Sequence, residues 1–153
     1  MSQPRWLNGR QQQQWRSLVR VCALLPEQLE RDLSQQHGLS LAEYEVLARL
    51  SESPQRQMRM SDLALATLVS RSRLSHQITR MERQGLVRRQ ECENDRRGWL
   101  AVLTDEGMNR LVAAAPDHVE SVRQYVVDQL TDEEFATLTK VCDKLGAELD
   151  ARR

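Results

Sequence analysis

The chain has 153 residues, 29% of them charged and 4% aromatic, with a formal net charge of zero. That length bounds it to one domain, or one domain with an oligomerisation extension, and is enough to bury a core. No apolar run approaches the roughly 18 residues of a membrane span, and the N-terminus lacks a basic-then-apolar signal pattern, so the expectation is a cytoplasmic protein.

Zero net charge conceals an asymmetry. Residues 56–97 hold ten arginines and five acids, residues 104–153 hold six basic and eleven acidic residues, and residues 1–55 balance at six and six. A basic central segment beside an acidic tail points to a nucleic acid as partner. Only Lys140 and Lys144 are lysine. Arginine forks suit phosphates and guanine edges better than ammonium groups do.

Residues 1–10 read as an extended arm. From Gln11 to Gln36 the apolar positions Trp15, Leu18, Cys22, Leu25, Leu29 and Leu33 have helical spacing. Pro26 is expected to kink or split that helix, and Gly38 to end it. Ser40 with Glu43 forms a capping box for a second helix over 41–52. Its buried side is Leu41, Tyr44, Val46, Leu47 and Ala48, and Pro54 follows its end. Residues 53–60 read as a loop.

A short helix over 62–68 follows, with Ser61 as its cap, Leu63, Ala64 and Leu68 inside, and small Ala64 and Ala66 permitting a close crossing. The next helix, over 71–84, has Ser70 as its N-cap. Leu74, Ile78 and Met81 form one narrow apolar stripe. The opposite face holds Ser72, Arg73, His76, Thr79, Arg80 and Arg83, with Ser75 on the flank and Glu82 as the one nearby acid.

After Gly85 the period changes to two. Leu86-Val87 opens a strand, and Trp99, Ala101 and Leu103 alternate with Leu100 and Val102 in a return strand. The intervening loop, 93–98, contains Asn94, Asp95 and Gly98, which turn tightly. Arg96 and Arg97 at its tip reach a phosphate backbone or a minor groove.

Thr104 caps a long helix from Asp105, with Met108, Leu111, Ala115, Val119, Val122 and Val126 as its apolar series and a bend expected at Pro116. Thr131 with Glu134 boxes a last helix carrying Phe135, Leu138, Val141, Cys142, Leu145 and Leu149. The fold class is therefore mainly α with a small β-wing. A winged helix-turn-helix DNA-binding domain over 37–103 lies between an N-terminal arm and dimerisation helix, 1–36, and C-terminal dimerisation helices, 104–153. The flanking helices carry more apolar surface than one small winged helix can cover, and a second copy of the chain satisfies them.

The stretch SRSRLSHQITRMERQGLVRR, then DRRG, then AVLTDEG, with HGLSLAEYEVLARL upstream, resembles the MarR family of bacterial transcription regulators. Asp95 and Arg97 match the family's wing Asp-x-Arg, and Leu103, Thr104 and Gly107 match its closing Leu-Thr-x-x-Gly. The resemblance implies a homodimer on a pseudo-palindromic double-stranded operator, most often a repressor, released by a small molecule or an oxidant.

The expected DNA-contacting residues are Ser70, Arg71, Ser72, Arg73, Ser75, His76, Gln77, Arg80, Arg96 and Arg97. Arg73 and His76 lead at the base edges. Asp95 is expected to hold a neighbouring arginine by a charged hydrogen bond. Family effectors typically lie in the crevice between reader and dimerisation helices. Here its available residues are Trp15, Arg16, Arg20, Tyr44, Leu47, Met58 and Met60, a wall that suits a planar aromatic acid.

Two alternatives are a thiol-based redox regulator on the same fold and a winged helix used only to bind proteins. Some relatives sense peroxide with a cysteine in the first helix. Counting back from Tyr44 places that position nearer Arg16 than Cys22. Cys22 and Cys142 fall on apolar stripes and read as buried, inert thiols. Cys92 lies in the wing strand without a resolving partner nearby. Catalysis has no support: His37, His76 and His118 stand apart from any carboxylate or cysteine motif, and there is no phosphate loop, HExxH or GxSxG. No cofactor or metal is expected. His37 reads as a helix-terminal residue favourable to the dipole, and His118 as solvent-facing.

Overall fold

The computed structural model describes residues 4–93 and 95–152, without the side chains of Arg96 and Arg97. The turn assigned to Asn94 and the reach assigned to Arg96 and Arg97 thus lie outside the described residues.

Helix α1 (Gly9–His37) begins earlier than the apolar spacing suggests because Asn8 caps it. The Asn8 side chain accepts from the Gln11 backbone at 2.8 Å, and the Gln11 side chain accepts from the Asn8 backbone at 3.0 Å. This reciprocal box satisfies two otherwise orphaned donors. The expected interruption at Pro26 does not divide the helix, which runs through it as one element. Proline removes a single ladder donor, and the 29-residue helix tolerates that loss. Gly38 ends it in the left-handed region at φ +62° and donates to Ser34.

Helix α2 (Leu41–Glu52) starts at the Ser40–Glu43 capping box that the sequence displays. A single 3₁₀ turn (Pro54–Arg56) follows. The segment read as a loop then contains a strand, β1 (Gln57–Arg59). It leads into α3 (Met60–Ala66) and, after a turn, into α4 (Arg71–Arg83). The wing is β2 (Val87–Cys92) and β3 (Asp95–Leu103), so Asp95–Gly98 belong to a strand rather than to the loop. Helices α5 (Asp105–Tyr125) and α6 (Asp132–Asp150) complete the chain, and α5 also passes through its proline, Pro116.

The sheet is antiparallel with order β1-β3-β2. Met58 sits opposite Ala101, and Val87 opposite Leu103. Three residues are too few to show a period, which is why β1 is invisible in the sequence. The register shifts between Glu91 and Cys92, bringing Cys92 opposite Asp95.

One core unites the elements. Val46, Leu47 and Leu50 of α2, Leu63 of α3, Leu74, Ile78 and Met81 of α4 and Ala101 of β3 have no exposed surface. Leu33 of α1 and Leu111 and Ala114 of α5 join the same cluster. A polar seam also ties α1 to α5. Asp32 accepts from Ser121 and Tyr125, each at 2.9 Å, and from Gln28 at 2.9 Å. Burial alone raises the Asp32 carboxyl, but these hydrogen bonds outweigh it and hold the group below its ordinary value.

Several expectations need correction. Ser61 does not cap α3: the cap position is Arg59, without a side-chain bond, and Ser61 donates instead to Asp62. Leu68 lies beyond α3, at φ +57° and 68% exposed, because the turn into α4 points it outward. His118 is not solvent-facing. Its ring packs at a 42° tilt against Tyr44 with centroids 4.2 Å apart, and burial pushes its pKa below the ordinary 6.5, against the opposing pull of Glu45. His37 does end α1, where its Nε2 lies 2.8 Å from Asp117. Cys22 and Cys142 are exposed within the single chain, because the stripes that hold them are themselves uncovered. No described residue of α6 is buried.

Gly107 has a packing reason. A Cβ there meets the Leu86 carbonyl oxygen at 2.1 Å and Leu103 Cδ1 at 2.7 Å, so the first turn of α5 lies directly on the wing. Gly107→Ala is expected to destabilise the fold by about 1–3 kcal/mol through overpacking. Urea unfolding checks this: an unchanged midpoint contradicts the close approach.

Candidate nucleic-acid interface

Helix α4 has one side committed to the core. Its N-terminal turn is set by Ser70, whose hydroxyl accepts from the Arg73 backbone at 3.1 Å. Gly85, at φ +74°, redirects the chain into the wing just after the helix ends. With Leu74, Ile78 and Met81 inward, Arg71, Ser72, Arg73, Ser75 and His76 are all exposed. There is no acid in the first helical turn. The positive end of a helix beside two guanidinium groups is an attractive site for a phosphate.

Two residues of the expected reading face behave differently. Gln77 is only 8% exposed, because it falls on the flank between Leu74 and Met81 that closes against the core. Its Nε2 is buried without a hydrogen-bond partner among the described residues. Arg80 keeps an exposed side chain, but its Nε lies 3.3 Å from Glu43, a buried carboxylate of the α2 capping box. Arg80 therefore ties the far half of α4 to α2.

The wing is pinned near its tip, where β2 ends and β3 begins. Arg59 Nη1 on β1 lies 3.3 Å from Asp95 Oδ2. A Cβ on Gly98 meets Cys92 Sγ at 3.0 Å and the same Asp95 oxygen at 3.1 Å, so only glycine leaves this junction undisturbed. Between α3, α4 and the wing lies a cavity of about 380 Å³ whose lining includes Arg59, Arg71, Ser75, Arg89 and Trp99. Sequence reasoning missed Arg59, Arg89 and Trp99 as parts of one site. Alternation along β2 was the available signal for Arg89, since it shares a face with buried Val87.

Within the single chain, the residues expected around Trp15 divide between core and surface. Tyr44 and Leu47 are core, 8% and 0% exposed, and Met58 and Met60 pack against that core. Trp15, Arg16 and Arg20 lie exposed along α1. The helix spacing that places Tyr44 and Leu47 on one side turns that side inward.

Among the described residues, no group of three or more His, Cys, Asp and Glu is placed to hold a metal, and no helix is long and apolar enough to cross a membrane. A three-stranded wing, a helix-turn-helix and an acid-free first turn on the second helix define a winged helix-turn-helix DNA-binding protein.

Comparison with known proteins agrees. The model of the MarR family matches residues 37–98. The homoprotocatechuate degradative operon repressor of Escherichia coli is 32% identical over 117 residues, covering 76% of this chain and 77% of that protein. The crystal structure of AbsC, a MarR family transcriptional regulator from Streptomyces coelicolor, superposes with a TM-score of 0.93 at 49% identity, over 97% of this chain and 99% of that one. A second Streptomyces coelicolor MarR family regulator, crystallised in complex with DNA, gives 0.94 at 42% identity, over 95% and 92%. The chain belongs to the MarR family and is a DNA-binding transcriptional regulator, not an enzyme.

The inward position of Gln77 makes a testable claim. Gln77→Met is expected to leave stability equal or raise it by up to about 1 kcal/mol, by removing a buried unpaired amide. DNA affinity is expected to stay within about twofold, as for a position off the interface. A loss of DNA binding without loss of stability returns Gln77 to the reading face.

Proposed function

We propose that the chain is a homodimeric repressor of a pseudo-palindromic operator. The observation that carries this reading is the exposed Arg71, Ser72, Arg73, Ser75, His76 surface on a helix whose other side is fixed in the core. Arg73 and His76 read base edges in the major groove, and Arg71 with the helix N-terminus takes a phosphate. Arg96 and Arg97 extend the contact along the duplex, with Asp95 and Arg59 holding the wing that carries them.

The dimer reading is supported by apolar surface left uncovered in one chain. Trp15, Leu18 and Val21 on α1 are exposed, and so are Leu138, Val141 and Leu145 on α6. Surface of this kind marks an interface. Two-fold symmetry then sets two recognition helices about 34 Å apart on one face of the duplex. Repression is supported by the Escherichia coli relative, whose name is that of an operon repressor.

Binding-site selection followed by Arg73→Ala tests the reading. Selection is expected to return an inverted repeat with half-sites about 10 bp apart, centre to centre. Arg73→Ala is expected to cost about 1–3 kcal/mol per half-site and relax preference at the contacted position. Direct repeats, or an equal loss on every sequence, contradict it.

The releasing signal in this reading is a small aromatic acid. Its chemistry requires a ring face and a guanidinium group, and Trp99, 44% exposed, sits with Arg71 around the 380 Å³ cavity, beside Arg59 and Arg89, which already hold Asp95 and Glu82. A ligand there occupies surface that DNA needs, and it shifts the equilibrium by no more than its difference in affinity for the two states. A benzoate panel is expected to include members that quench fluorescence and release operator DNA. Trp99→Phe is expected to abolish the quenching and Trp15→Phe to preserve it. A panel that neither quenches nor releases overturns the ligand.

A further inference from the structure

Among the described residues of the reader, Arg89 is heavily engaged, and it meets α4 from the β2 side at the edge of the exposed face. Its Nη1 forms an ion pair with Glu82 Oε2. Its Nη2 lies 2.8 Å from the Ser75 carbonyl, 3.1 Å from Ser75 Oγ and 3.1 Å from Thr79 Oγ1. The Arg89 backbone N–H donates to the other Glu82 oxygen at 2.8 Å. Its side chain is 21% exposed and that of Glu82 31%, so water competes only partly for these groups. The preceding arginine on the strand, Arg88, is different: it is exposed and donates to Gln90 on its own strand.

We propose that Arg89 is a positioning residue for operator reading: from β2 it clamps α4 at Ser75, Thr79 and Glu82 and so fixes the angle between recognition helix and wing. Thr79 Oγ1 itself donates to the Ser75 carbonyl at 3.0 Å, so Nη2 meets both at one point on α4, and Nη1 on Glu82 extends the grip to the last turn. A guanidinium fork can hold that spread of acceptors, whereas an ammonium cannot match its planar geometry. The apolar stripe leaves α4 free to roll slightly about its axis, and a roll moves Arg73 and His76 off their bases together. The clamp removes that freedom. Glu82, an acid at the edge of a basic surface, acquires a purpose that its charge alone opposes.

The sign of the Glu82 effect separates this from direct phosphate contact. By charge alone, Glu82→Gln removes a repulsive carboxylate and strengthens binding to all DNA. By the clamp, Glu82→Gln weakens binding to the selected inverted repeat by about tenfold or more while binding to random duplex holds or rises. Arg89→Lys keeps the charge and is expected to behave like Glu82→Gln, with the salt slope on the operator unchanged. If Arg89 instead touches phosphate, Arg89→Lys retains most affinity, and Arg89→Gln lowers the salt slope by about 0.9 for each phosphate it no longer neutralises.

Amide exchange on the DNA-free full-length dimer supplies a readout independent of any operator. Glu82→Gln, nearly isosteric, is expected to speed exchange across residues 75–79 and 87–91, with α1 and α6 unchanged. Reduced discrimination together with faster exchange supports the clamp. Unchanged exchange, a uniform gain in DNA affinity on Glu82→Gln, or full operator affinity in Arg89→Lys overturns it.

Discussion

The complete burial of Leu74, Ile78 and Met81 is the constraint on which the reading surface depends. Three residues at steps of four and three occupy one stripe of α4, and each contributes about 1.5–3 kcal/mol when withdrawn from water. Their partners come from four directions: Leu47 and Leu50 on α2, Leu63 on α3, Leu86 at the wing base, and Ala101 on β3. With the stripe held in this way, the azimuth of α4 is set to within a small roll, and Arg71, Ser72, Arg73, Ser75 and His76 face water because no other side is left for them. The function is a consequence of packing before it is one of charge.

Polar contacts then refine what packing sets. Glu43 reaches Arg80 from α2, Glu82 and Arg89 join α4 to β2, and Arg59 meets Asp95 across β1 and β3. Each pairs an arginine of the basic segment with an acid, so not every cation there is available to DNA. This division explains how a chain of zero net charge presents a cationic surface. Glu82 and Asp95, acids within 56–97, position arginines, and the acidic excess lies on α5 and α6, where Asp105 pairs with Arg56 at the edge of the reader.

Much of this is legible in the residue pattern. Capping boxes at Ser40 and Thr131, the caps Ser70 and Thr104, and the stops at Gly38 and Gly85 fall where local chemistry puts them. The stripe of α4 follows from period alone. What is not legible depends on contacts between distant segments. β1 is too short to carry a period and exists because β3 offers it an edge. Gln77 is polar, yet it sits on a helical flank that the core closes over. Tyr44 and Leu47 read as a ligand wall because a buried side and a pocket side look alike in sequence. The Arg89 cluster joins residues separated by up to 14 positions, and no short motif announces it. Cys22 and Cys142 are exposed because α1 and α6 keep their apolar stripes uncovered within one chain.

The central claim is that core packing of α4 delivers its N-terminal face into the major groove. Dimethyl sulfate footprinting of the bound operator tests it directly, because guanine N7 lies in the major groove and adenine N3 in the minor. The expected result is two patches of N7 protection on one face of the duplex, about one helical turn apart, with adenine N3 protection only beside them, where the wings reach. Protection confined to adenine N3, with every guanine N7 still reactive, would contradict it.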